Sequence, residues 1–129
     1  MVSLLLGIFV ALHGLVHLWY VTLAQGLVEF RDDMGWTAES WLLSGALGEG
    51  TLRALATALY LLAAIALIGS GVGLAAGADW ARRALAASAV FSTVVVLLFW
   101  DGGTHMLVQK GLLALLINAA LLGGLALND

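Results

Sequence analysis

His13 and His17 stand one helical turn apart in His13-Gly14-Leu15-Val16-His17, inside an apolar stretch that runs over residues 2–27. A spacing of four sets both imidazoles on one side of a helix, where they can chelate one metal ion or lie along one polar track. Ionisable side chains at membrane depth are expensive, and each is a functional-site hypothesis by default. Two further candidate ligands, Asp101 and His105, flank Gly102-Gly103, a pair whose permissive backbone lets the chain turn back toward the first segment. A set made of His13, His17, Asp101 and His105 suits zinc, iron or copper by ligand type. The same pair reads equally as neutral imidazoles hydrogen-bonded within a bundle of helices.

Several familiar chemistries are excluded or weakened. No Glu follows His13, so the metalloprotease pattern His-Glu-x-x-His is absent. Haem needs axial ligands from opposite faces, which one helix cannot supply, so a second ligand would have to come from His105, Met106 or another protomer. Proton-linked transport is a separate class, with Thr57, Tyr60, Ser88, Ser92, Thr93 and Asn118 as polar lining along the spans. Lone hydroxyls in such helices are expected to bond their own backbone, whereas the Asn118 amide calls for an interhelical partner. No Gly-x-Ser-x-Gly turn exists for nucleophilic hydrolysis. Gly69-Ser70-Gly71-Val72-Gly73 lies at a helix end without a preceding strand and is expected to pack a helix closely or loosen its end, not to cradle a nucleotide.

Composition explains why so few side chains carry chemistry. Of 129 residues, 63% are hydrophobic and 10% charged, and the mean hydropathy is +1.08. Soluble domains run near 45–50% apolar and about 25% charged. The chain therefore reads as an integral membrane protein, placed at the cell membrane. Cysteine is absent, which removes thiolate metal sites, iron–sulfur clusters and disulfides. A net charge of −3, with basic residues scattered apart from Arg82-Arg83, argues against nucleic acid as a partner.

Four segments, at about 2–27, 51–76, 80–100 and 109–127, approach or exceed the ~20 apolar residues of a spanning helix. Backbone groups in lipid must be satisfied internally, so the fold class is all-α: a four-helix up-down bundle forming a single membrane domain. The first segment lacks a basic leading region and exceeds the usual apolar core of a signal peptide, so it reads as a retained helix. The connection at 28–50 is long and polar, and there a short interfacial helix is expected over residues 38–47, capped by Thr37.

Trp19, Tyr20, Trp36, Trp41 and Trp100 are expected as interface anchors on the face of the long connection, and Trp80 with Arg82 and Arg83 on the opposite face. Lipid headgroup binding is the alternative role for the two arginines. Ser3, Gly7, Ala11 and Gly14 form a small-residue stripe that allows close approach of a neighbouring helix. Basic residues divide almost evenly between the two faces, with a slight lean toward cytoplasmic termini, and dual insertion as an antiparallel homodimer stays open.

Leu12-His13-Gly14-Leu15-Val16-His17-Leu18, Leu97-Leu98-Phe99-Trp100-Asp101 and Lys110-Gly111-Leu112-Leu113-Ala114-Leu115-Leu116-Ile117-Asn118 carry a resemblance. In these stretches and in its four-span plan the chain resembles the small DoxX-like prokaryotic membrane proteins. Such families are largely uncharacterised or associated with redox membrane complexes, so the resemblance implies little about mechanism and transfers no residue roles. The leading expectation is an accessory or partner-binding subunit of a larger membrane assembly, with lipids, other subunits or further copies as partners. A metal- or haem-binding redox protein is second, and a proton-linked transporter third.

Overall fold

A computed structural model describes residues 1–27, 39–105 and 107–128, the side chain of Gln109 apart. Four helices follow one another: α1 (Val2–Ala24), α2 (Glu49–Ala75), α3 (Ala81–Leu98) and α4 (Leu113–Leu127), the last entered through a wide turn at Val108–Leu112. Each is long and apolar enough to cross a membrane, with α4 counted from Lys110. The expected all-α four-helix bundle is the observed fold.

Helix packing follows chain order, with α1 on α2, α2 on α3 and α3 on α4, while α1 approaches α3 and α4 only sparsely. The α1–α2 contact rests on the small-residue stripe. A Cβ added at Gly7 would lie 2.5 Å from the Gly71 carbonyl oxygen, and one at Gly71 would lie 2.5 Å from the Gly7 oxygen and 2.7 Å from the Ala11 nitrogen. Gly14 is closed in the same way by Leu67 and Ile68. Backbones this close exchange dispersion contacts that larger side chains would prevent, which is how helices associate where lipid offers no hydrophobic drive. The glycine-rich end of α2 thus packs helices: Gly71 meets α1, and Gly73 meets Trp80 and Ala81.

The α2–α3 link is short because Gly77 takes a left-handed conformation (φ 71°). Its N–H bonds the Leu74 carbonyl and that of Ala78 bonds the Gly73 carbonyl, which satisfies two of the carbonyls that α2 leaves open. At the other end of the bundle, Arg53 closes the α1–α2 connection. Its Nη1 donates to the Leu23 and Ala24 carbonyls at 3.0 and 3.4 Å, and its Nε pairs with Glu49 at 3.0 Å.

The expected interfacial helix does not form over its described part. Residues 41–46 are successive turns, because Ser40 and Trp41 are spent on the end of α3. The Ser40 hydroxyl donates to the Leu98 carbonyl, the Trp41 indole N–H donates to the Leu97 carbonyl at 2.7 Å, and the Trp41 amide donates to the Trp100 carbonyl at 2.7 Å. Ser40 Oγ also accepts the Leu43 N–H at 3.1 Å, the capping role assigned in sequence to Thr37. Thr37 and the expected anchor Trp36 lie outside the described residues.

Candidate functional site

Both histidines are buried on α1, but their rings diverge. The centroids are 5.0 Å apart and the planes stand at 84°. His13 reaches α4, where its Nε2 lies 2.9 Å from Asn118 Oδ1. His17 reaches α3, where its Nε2 lies 2.6 Å from Ser92 Oγ, and its Nδ1 lies 3.0 Å from the His13 carbonyl. Asn118 completes the set by donating through Nδ2 to Ser92 Oγ at 2.9 Å and to Thr93 Oγ1 at 3.2 Å. Ser92 and Asn118 are entirely buried.

With both imidazoles neutral, hydrogen-bond polarity around this network has a single consistent solution. A carbonyl can only accept, so His17 carries its proton on Nδ1, and its neutral Nε2 accepts from the Ser92 hydroxyl. Thr93 donates its one proton to the Ala89 carbonyl at 2.8 Å. Both hydroxyl oxygens are therefore acceptors toward Asn118, which fixes the amide with Nδ2 facing them and Oδ1 facing His13. His13 must donate from Nε2, and its Nδ1 is left as a lone-pair acceptor. The two histidines are opposite tautomers.

His13 Nδ1 has no hydrogen-bond partner, and among the described residues no side-chain nitrogen or oxygen shut away from the surface lacks one. His13 lines a groove of about 500 Å³ between α1 and α4. Phe9, Leu12, Val16 and Trp19 on α1 face Ala114 and Ile117 on α4, with Gly111 beside them. Phe9, Leu12 and Val16 are also exposed on the outer surface, so the groove opens sideways on the flank of the bundle. Gly111 shapes its end. At φ 118° it holds the wide turn open, and a Cβ there would collide with Val96 Cγ1.

The four proposed metal ligands do not converge. Among the described residues no group of three or more His, Asp or Glu side chains could hold a metal ion. Zinc needs ring nitrogens about 2.0–2.1 Å from one point, whereas His17 has both nitrogens engaged and His13 turns toward a different helix. Asp101 is committed elsewhere: Oδ2 pairs with Lys110 Nζ at 2.8 Å, and Oδ1 accepts the Gly103 N–H at 2.8 Å. His105 is exposed. Met106, the other haem ligand considered, lies outside the described residues.

Among the anchors, Trp19, Trp41, Trp80, Arg82 and Arg83 are exposed, and Trp100 is half-buried with its indole N–H on the Gly103 carbonyl. Tyr20 departs from the expected anchor position. It is buried and stacked on Tyr60, with ring centroids 4.6 Å apart and planes 13° from parallel. Three of the hydroxyl residues bond their own backbone as expected. Thr57, Ser88 and Thr93 bond the carbonyl four residues back, while Ser92 joins α1 to α4. The groove itself was missed from sequence, although Gly111 and Ala114, small residues near Asn118 on the side that meets α1, were available as a sign of it.

Fold and site together describe a four-helix bundle whose helices are each long and apolar enough to cross a membrane, with four buried polar residues, His13, His17, Ser92 and Asn118, joined in one network beside an apolar groove. No protein-family model, curated protein or solved structure matches the chain.

Proposed function

We propose that the protein binds a lipophilic small molecule carrying a hydroxyl or N–H donor, held in the α1–α4 groove with that donor on His13 Nδ1. The unpartnered acceptor of a histidine that lines an apolar groove carries this reading. A groove of about 500 Å³ falls within the range of small-molecule sites, which are mostly apolar with a few placed polar groups. The network makes the acceptor specific, because His13 Nε2–H is held by Asn118 and cannot shift to offer a donor instead. A ligand matched to this wall is a neutral amphiphile with one donor, and the sideways opening lets it exchange with the bilayer core.

The test compares 4-nonylphenol with its methyl ether, a pair that differs in one donor, by titration of the purified protein in mild detergent and readout of Trp fluorescence. One hydrogen bond contributes about 1 kcal/mol, so the ether is expected to bind about fivefold more weakly. Val16→Trp, at the exposed rim, fills the groove without touching the network and is expected to abolish binding of both. Equal affinity for phenol and ether, or binding unchanged in Val16→Trp, would overturn the reading.

A further inference from the structure

At the end of the bundle where α2 turns into α3, a polar cleft of about 360 Å³ is lined by Asp79, Arg82, Arg83, Ala86 and Leu125. A narrower apolar slot of about 150 Å³ adjoins it, shares Arg82 and Leu125, and continues along Leu6, Leu85 and Leu121 between α1, α3 and α4. Exposed Trp80 stands at the same turn, as expected of a residue at headgroup level. A charged cleft at that level leading into an apolar slot has the polarity profile of one amphiphile, with its head at the interface and its chain between helices.

We infer that this pair of cavities binds one anionic phospholipid, its phosphodiester on Arg82 and Arg83 and the start of one acyl chain in the slot. Guanidinium groups match phosphate oxygens in a bidentate way that an ammonium cannot. Arg82 also donates through Nη2 to the Leu125 carbonyl at 3.5 Å, where the cleft meets the slot. It is the slot, not the charge, that selects a lipid over a free phosphate ion.

Native mass spectrometry of detergent-released protein, titrated with phosphatidylglycerol, tests the inference. Wild type is expected to retain one tightly held lipid, and R82Q/R83Q to bind it about 30-fold more weakly, at roughly fivefold per basic residue. Both arginines are exposed, and an unchanged circular dichroism melt checks that the variant is folded. Gly124 lines the slot and has open space where a Cβ would go, so Gly124→Leu fills the slot and is expected to weaken lipid binding while leaving inorganic phosphate binding as it was. The inference falls if R82Q/R83Q retains the lipid like wild type, if Gly124→Leu does so, or if inorganic phosphate displaces the lipid as well as free phosphatidylglycerol does.

Discussion

Replacing Asn118 with leucine removes a side chain of similar size that makes three interhelical hydrogen bonds, to His13 at 2.9 Å, Ser92 at 2.9 Å and Thr93 at 3.2 Å. The losses are unequal. Ser92 and Thr93 keep their own donations to His17 and Ala89, so each loses only an incoming bond. His13 Nε2–H is left as a donor with nothing to accept it. Interhelical hydrogen bonds in membranes average about 0.6 kcal/mol and reach about 1.7 at most, so Asn118→Leu should cost about 1–2 kcal/mol. Thr93→Val removes only the longest of these interhelical bonds, together with the Thr93 donation to the Ala89 carbonyl of its own helix, and should cost about 0.6 kcal/mol or less. Reversible unfolding in mixed micelles measures both. The chemical consequence is sharper than the energetic one. With Asn118 gone, His13 is free to move its proton to Nδ1, and the groove wall changes from acceptor to donor. Nitrogen-15 NMR of ring-labelled protein should show His13 protonated on Nε2 and His17 on Nδ1 in wild type, with the His13 proton redistributed in Asn118→Leu. Identical tautomers for the two histidines in wild type, or a Thr93→Val cost equal to that of Asn118→Leu, would refute the network's polarity and with it the ligand class.

Gly71→Ala places a methyl group against α1 backbone, 2.5 Å from the Gly7 oxygen, and should destabilise the bundle by about 1–3 kcal/mol. Adding Gly7→Ala should cost less than the sum, because one separation of the helices accommodates both methyls, and a double-variant cycle in the same unfolding assay measures this coupling. Gly111→Ala combines an unfavourable φ of 118° with a collision against Val96 Cγ1. It should be destabilising, and Val96→Ala should restore only the part due to contact, as thermal melts of the single and double variants will show.

The fold was legible because spans in lipid are dictated by length and hydropathy alone, and the α1–α2 interface because Gly7, Ala11 and Gly14 fall on one stripe. Asn118 was legible for a similar reason, since a buried amide has no self-satisfying helical conformation. The interfacial helix failed on competition that sequence does not reveal. Ser40 and Trp41 gain more from the open carbonyls at the end of α3 than from starting a helix of their own. Tyr20 was misplaced because the preference of aromatic rings for the interface says nothing of rotation about α1, and rotation set by the glycine stripe turns Tyr20 onto Tyr60.

The histidine pair shows where helical spacing stops being informative. Spacing of four guarantees a shared face, and chelation further requires both rings to choose rotamers that converge. Those rotamers are chosen by the surroundings, and here each ring finds a different hydroxyl or amide on a different helix. The same choice explains the groove. Helices joined by glycine and alanine meet backbone to backbone, as α1 and α2 do, whereas α1 is joined to α3 and α4 by side chains of four or more heavy atoms in the case of His13, His17 and Asn118. Bridges of that reach hold helices apart as well as together, so the network and the space beside it are two results of one substitution of polar length for close packing. His13 belongs to both, buried through Nε2 and open through Nδ1, and any ligand in the groove is therefore read by an atom whose chemistry is set on the far side of the ring by Asn118.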